Sequence, residues 1–285
     1  MCFVTILLPF LAQTQDEEAS KANPFEAKSY EKFAWGFRAG LNMTTPHFAD
    51  VDARKSLDAQ PTLGWTIGIL TQFKLTDRYA FQTEVGYSQK TSRFLFDKGN
   101  GENEMVMHFV DMSLLLRRRF AFEWGKNIQS DFIISVGPNV NYWVNARGKI
   151  TTGGGSPFEY NVVMDGTSDA NYNNMYLNGV NRWLFGIDLG IGVNAPITSK
   201  QKIYVEFRGT LGQTNLGTNS STSFINLIGF GGSDFQQNFL KANLKTFSVT
   251  AAYTLSYNYF ESKTGHSTKD NLLKKKSNRK KKRRK

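Results

Sequence analysis

The chain has 285 residues, of which 40% are hydrophobic and 14% aromatic, and it contains 25 glycines. The sequence has no run of about 18 consecutive apolar residues, which argues against a helical membrane protein. The net charge of +11 is concentrated in residues 261–285, which hold twelve Lys or Arg and two acidic residues. The body of the chain is therefore nearly neutral, and its composition does not indicate a nucleic-acid-binding protein.

Residues 2–12 form a short apolar segment that contains the only cysteine, Cys2. Such a segment, ending in Ala12 and followed by polar residues, is typical of a secretory signal peptide. We therefore predict a signal peptide over 1–12 and a flexible polar lead over 13–31. The alternative is a hydrophobic N-terminus that the mature protein retains. A single cysteine excludes an internal disulfide framework and a cysteine metal site.

Eight later segments alternate apolar and polar residues with a period of two, which is the periodicity of a two-faced β-strand. Several reach the 9–11 residues that a tilted strand needs to cross a bilayer. Pro138, on the apolar face of the fifth segment, cannot donate a ladder hydrogen bond, which predicts a bulge or bend there. In chain order the predicted strands are 33–43, 63–75, 79–88, 106–122, 132–145, 183–193, 203–212 and 246–259.

Short and long connections alternate strictly between these strands. The short ones are 76–78, 123–130 and 195–200, and the long ones are 44–62, 97–104, 147–181 and 213–244. Outer-membrane barrels have short periplasmic turns and longer extracellular loops. The order of connections therefore predicts an all-β fold over 32–260, an eight-stranded antiparallel up-and-down transmembrane β-barrel, with both termini in the periplasm.

Alternation alone does not say which face points inward, because a soluble secreted barrel would bury its apolar face. A charge that faces lipid at mid-bilayer costs about 2–4 kcal/mol. The polar face carries charges of both signs at mid-strand, so we expect them to face the interior and to pair there: Arg38, Glu84, Asp111, Arg117, Asp188, Glu206 and Arg208. For Asp188 the candidate partners are Arg38, Arg117 and Arg208.

Large aromatic residues lie near strand ends on the apolar face, where membrane proteins carry an aromatic girdle. The predicted girdle consists of Trp35, Trp65, Phe73, Tyr79, Trp183, Tyr257 and Tyr259. Eight strands leave an interior just wide enough for side chains. These features favour a membrane barrel with a plugged interior over a wide diffusion pore.

Several of these strands resemble the PorT-like outer-membrane β-barrel family of the Bacteroidetes. The resemblance covers roughly residues 33–260, and strand four departs from it because Ser113 stands where the family often has proline. It implies residence in the outer membrane, and one branch of the family implies a link to type IX secretion and gliding. The motifs that carry it are Gly36-Phe37-Arg38-Ala39-Gly40-Leu41-Asn42, Phe81-Gln82-Thr83-Glu84-Val85-Gly86-Tyr87-Ser88, Ser135-Val136-Gly137-Pro138, Gly186-Ile187-Asp188-Leu189-Gly190-Ile191-Gly192-Val193 and Tyr204-Val205-Glu206-Phe207-Arg208-Gly209-Thr210-Leu211-Gly212.

The three histidines, His47, His108 and His266, lie in separate regions, so the sequence predicts neither a metal site nor a cofactor. His47 with Asp50 or Asp52 is a loose candidate for catalysis at the barrel rim, although a solvated loop histidine explains it more simply. We therefore predict a protein without enzymatic activity.

The basic segment 261–285 is predicted to be a disordered periplasmic tail, either simply solvated or attracted to an anionic periplasmic partner. The sequence thus predicts an outer-membrane structural or interaction protein that contacts outer-membrane lipid and acts through long extracellular loops and this tail. The alternatives are an accessory component of a type IX secretion or gliding machine and a narrow transporter for small solutes.

Overall fold

The computed structural model of the protein describes residues 33–49, 51–96, 99–124, 128–153, 155–164, 174–177, 179–197, 201–218, 222–223 and 240–257. The predicted signal peptide (1–12), polar lead (13–31) and basic tail (261–285) lie outside these residues, as does Tyr259. Among the described residues, no α-helix has the length and apolarity needed to cross a membrane.

The described residues form strands and one short helix. The strands are β1 (Phe33–Phe48), β2 (Asp58–Gln60), β3 (Thr62–Lys74), β4 (Tyr79–Phe96), β5 (Gly101–Trp124), β6 (Ile128–Thr152), β7 (Phe158–Met164), β8 (Asn174–Leu177), β9 (Trp183–Pro196), β10 (Gln201–Leu211), β11 (Thr222–Ser223) and β12 (Ala242–Tyr257), and the helix is α1 (Val51–Ser56).

Eight of the described strands pair in a closed ring, in the order β1, β3, β4, β5, β6, β9, β10 and β12. Each strand is antiparallel to the next one along the chain, and β12 closes the ring against β1 with Phe33 opposite Tyr257. The predicted number of ring strands and their up-and-down order are confirmed. We call the end with the short β3–β4, β5–β6 and β9–β10 turns the lower end, and the opposite end the upper end.

The two faces of the ring differ as the alternation predicted. Apolar side chains point outward and are exposed, for example Leu41 at 61%, Ile67 at 52% and Phe207 at 49%, while polar neighbours such as Thr66 and Glu206 are buried inside. A soluble barrel would show the reverse arrangement. The outward surface is therefore an apolar belt around a polar interior, which is the arrangement of a membrane barrel.

The strands continue above this belt further than the sequence predicted. Residues 101–104 and 147–152, predicted as loop, belong to β5 and β6, and β7 pairs with the extended part of β6. Here the alternation is inverted, because Met105 and Met107 are buried inside while charged residues face outward. A search for strands with an apolar outer face misses such an extension. The prediction of a loop at residues 101–104 and 147–152 was therefore wrong.

The register of the β5–β6 ladder shifts at a position that the sequence analysis did not predict, and the ladder is also interrupted at Pro138. The register shifts between His108, which pairs with Asn145, and Phe109, which pairs with Trp143. Val144 is therefore the extra residue on β6. Opposite Pro138 the ladder with β5 is interrupted but keeps its register on both sides. Gly137 allows this close approach, because a Cβ there would overlap the Leu114 carbonyl. The missing proline N–H thus removes ladder contacts without inserting a residue.

Candidate functional site

The interior of the ring centres on a carboxylate held by two arginines. Glu84, on β4, is buried and receives two hydrogen bonds from Arg208 of β10, at 2.7 Å from Nη1 and 2.8 Å from Nη2. Arg38 of β1 also forms an ion pair with Glu84. A bidentate guanidinium–carboxylate contact is the strongest ordinary form of such a pair. Glu84 therefore joins three strands that are far apart in sequence.

Asp188, on β9, also pairs with Arg208. Its Oδ2 lies 3.6 Å from Arg208 Nη1 and accepts hydrogen bonds from Ser113 Oγ at 3.0 Å and Asn139 Nδ2 at 3.2 Å. Thr210 Oγ1 donates to the other carboxylate oxygen at 2.7 Å. Of the three candidate arginines, the structure selects Arg208 and surrounds the carboxylate with three further donors.

Glu206 and Arg117 lie toward the lower side of this group. Glu206 accepts from Arg208 Nη2 at 2.9 Å and from the Ser135 hydroxyl. Arg117 forms no ion pair with the described residues, but it donates to Gln82 and stacks over the Tyr204 ring at 4.4 Å. A buried guanidinium over an aromatic face is stabilised by the ring quadrupole.

Asp111 pairs with a cation that the sequence analysis did not name. Lys90 Nζ lies 3.5 Å from Asp111 Oδ1, donates to Asn141, and sits 4.9 Å from the centre of the Phe109 ring. Lys90 is two residues beyond the predicted end of the third strand. Continuing the period of two past Ser88 would have placed it on the inner face.

These contacts define a charge network of eight side chains that is neutral as a whole. Its cations are Arg38, Lys90, Arg117 and Arg208, and its anions are Glu84, Asp111, Asp188 and Glu206. Buried charges are tolerated when they are paired and hydrogen-bonded. The adjoining cavity has a volume of about 40 Å³, which is room for only a few water molecules. The network therefore lies in the middle of the ring beside a small cavity.

An apolar cap lies inside the ring at its upper end. Phe109 of β5 stacks on Trp143 of β6 at 6.1 Å, and Phe48 meets Phe94 edge-on at 5.6 Å. Sequence analysis missed the cap because its residues occur in segments that were predicted as loops or strand ends. The buried members of the cap are Phe48, Leu57, Phe94, Met105, Met107, Phe109, Trp143, Ala146, Ile150, Tyr160, Met175, Leu177, Leu184, Leu216, Leu240, Ala242 and Leu244.

The predicted girdle residues fall near both ends of the apolar belt. Trp35 and Phe73 lie toward the lower end, where Tyr79 begins β4, while Trp65 and Trp183 lie toward the upper end. Four of these side chains are 37–48% exposed: Trp35, Phe73, Trp65 and Trp183. Tyr257 pairs with Phe33 through its backbone at the lower end.

The described residues hold no group of three or more His, Cys, Asp or Glu that could bind a metal ion. His47 lies on β1 opposite Asn243, whereas Asp50 and the Asp52 side chain lie outside what the structure describes. His108 stacks on Tyr87 at 5.7 Å on the outer face. The two described histidines are therefore on different strands and do not form a shared site.

Comparison with known proteins gives one family and several solved structures. The family model described as outer membrane protein beta-barrel domain matches residues 12–217, more than half of the chain. Neisserial surface protein A is 10% identical, with a TM-score of 0.34, and the match covers 79% of this chain and 99% of that one. Ail, the attachment invasion locus protein of Yersinia pestis, is 7% identical, with a TM-score of 0.31 and the same coverage.

The transport unit of the autotransporter AIDA-I from Escherichia coli is 10% identical, with a TM-score of 0.32, and covers 84% of this chain and 93% of that one. No curated protein matches the chain.

Proposed function

The chain belongs to the outer membrane protein beta-barrel domain family and resides in the outer membrane of a Gram-negative bacterium, and from this premise we propose a non-enzymatic role. It acts as a structural and interaction protein that presents its upper end to the outside. Its interior is plugged and does not pass solutes.

The observation that carries this proposal is that two layers of side chains, the charge network and the apolar cap, lie inside the ring. The charge network lies in the middle, with Arg208 contacting three carboxylates from β4, β9 and β10. Above it, the apolar cap buries Phe109 and Trp143 to 0% exposure. A pore needs a continuous polar path, and the apolar cap, together with a cavity of only about 40 Å³ beside the charge network, supports a plugged interior.

The upper end supports the interaction role. There β4, β5 and β6 continue above the apolar belt, and β7 adds to their sheet. The outer face of this extension carries charged pairs, with Arg93 Nε 2.8 Å from Glu102 and Lys149 3.1 Å from Glu104. A folded, charged sheet over a buried core is a pre-formed surface, which lowers the ordering cost of binding. The long connections of the chain lie at this end, which we assign to the extracellular side.

Planar-bilayer recording tests the proposal. The purified protein is expected to give no stepwise conductance, whereas an open porin inserted in the same bilayer gives regular steps. Liposome swelling in a small neutral solute such as urea serves as a second measurement. Conductance steps or swelling caused by the wild-type chain would contradict the plugged interior and favour the narrow transporter.

The resemblance to PorT-like barrels leads to a narrower proposal. In it, the protein has an accessory role in type IX secretion or gliding. It is supported by the strand motifs around Arg38, Glu84, Asp188 and Arg208, whose charges meet inside the ring. Deletion of the gene in its host is expected to reduce the amount of secreted substrate protein. Normal secretion in the deletion strain would contradict this role and leave the general interaction role standing.

A further inference from the structure

One outward surface above the apolar belt lies on β1 and β12. The belt ends there at the cross-strand pair Met43 and Phe247, which are 42% and 43% exposed. The next pair on the same face is Thr45 and Lys245, and His47 opposite Asn243 follows. Two residues of a strand span about 7 Å. Lys245 therefore lies at the boundary between the apolar belt and the region above it.

Four basic side chains share this surface, and we call them the rim cluster: His47, Arg54, Lys241 and Lys245. Lys241 immediately precedes β12, and Lys241 and Lys245 lie on either side of Asn243 on the outward face, because Leu240, Ala242 and Leu244 are buried inside. The Lys241 carbonyl accepts a hydrogen bond from Ala49 N at 2.9 Å. Partial burial and the nearby Lys245 and Arg54 cations lower the pKa of His47. Arg54, Lys241 and Lys245 therefore carry the positive charge of the rim cluster, and His47 is neutral at pH 7.

The rim cluster differs from the other basic residues at this end of the ring. Arg93 and Lys149 are each neutralised by a glutamate within about 3 Å. None of the described carboxylates forms an ion pair with a member of the rim cluster. Like charges held close together repel, and an anion placed between them relieves that repulsion. Their position favours an anion that lies at the membrane surface.

We propose that the rim cluster binds the phosphate of an outer-leaflet glycolipid, lipid A. Lysine and arginine at the edge of an apolar belt extend toward headgroups while their stems stay on the belt, and clustered basic residues beside a membrane bind anionic headgroups. The acyl chains would lie on the exposed Met43 and Phe247. This inference rests on the outward orientation of the upper end proposed above, but its test does not depend on conductance.

The test measures binding of lipid A to the purified full-length protein in detergent micelles by native mass spectrometry. The double substitution K241S/K245S is expected to weaken binding of bisphosphorylated lipid A at least tenfold, and R54Q at least threefold. R93S/K149S removes the same charge from paired positions and is the matched control, expected to stay within twofold of wild type. Heat-modifiable gel migration checks that each variant is folded.

Two further arms identify the ligand. Dephosphorylated lipid A is expected to bind at least tenfold more weakly than the bisphosphorylated form, and high salt is expected to weaken binding because exposed charges are screened. Equal affinity of K241S/K245S and R93S/K149S would overturn the site. Inorganic phosphate that competes at the same concentration as lipid A would overturn the glycolipid assignment. If K241S/K245S does not fold, unchanged binding by R54Q alone overturns the proposal.

Discussion

Arg208 contacts Glu84, Asp188 and Glu206, and these three carboxylates come from three different strands. Its guanidinium is buried, with a side chain that is 5% exposed. Taking so many charges out of water is expensive, and the arrangement is tolerated because each carboxylate also receives another donor. Single residues of the charge network therefore depend strongly on one another, unlike charges on the outer surface.

The substitution Arg208→Ala is expected to lower the free energy of unfolding by about 3–5 kcal/mol, because it leaves buried carboxylates without a partner. The measurement is urea unfolding in lipid vesicles, followed by heat-modifiable gel migration. Arg93→Ala is the matched control, since Arg93 is 43% exposed and an exposed pair contributes about 0–1 kcal/mol. Equal unfolding midpoints for the two variants would show that the network is not a stabilising core.

At the scale of elements, the ring strand β5 carries two successive patterns. Along β5, the inner side chains are Met105, Met107 and Phe109 in the upper part and then Asp111 and Ser113. The change from apolar to polar occurs next to the register shift between His108 and Phe109. The same strand therefore contributes to the apolar cap and, further down, to the charge network.

Trp143→Ala is expected to destabilise the cap by about 3–5 kcal/mol, because it empties a fully buried aromatic position. Limited proteolysis of intact cells should show faster cleavage of the upper extension, while the lower ring stays protected. Trp35→Ala serves as the control, because Trp35 faces outward and is 40% exposed. Unchanged proteolysis of Trp143→Ala would mean that the cap does not hold the extension together.

At the scale of the whole molecule, charge is divided between a nearly neutral body and the basic segment 261–285. The body spans the membrane as a ring whose interior charges cancel, so its interior adds little long-range attraction for anions. The basic segment would supply that attraction separately, through an anionic periplasmic partner. Such an association weakens as ionic strength rises.

Deletion of 261–285 is expected to leave the ring folded, with unchanged heat-modifiable migration, but to remove a salt-sensitive association with the periplasmic fraction. The measurement is salt extraction of isolated envelopes followed by co-purification of the full-length and shortened chains. A variant with the same length but with its Lys and Arg replaced by Ser separates charge from length. Identical extraction of all three proteins at every salt concentration would contradict a role for the tail charge.

Much of the ring could be derived from the sequence because its determinants are local. A period of two assigns each side chain to a face, and mid-strand charges such as Glu84 and Asp188 cannot face lipid without a large cost. Alternating short and long connections then place each strand beside its chain neighbour. Strand number, order and the outward apolar face follow from these three properties.

Only the tertiary structure decided which charges meet and which residues form the apolar cap. Arg208 and Glu84 are 124 residues apart, and ring closure and strand stagger bring them to one height. The upper extension buries apolar residues inside, and that alternation by itself equally suits a soluble sheet. The inner face of the extension can be recognised only from the closed ring beneath it. That ring brings residues that are far apart in sequence, such as Phe48, Phe109 and Leu244, together in a single cap.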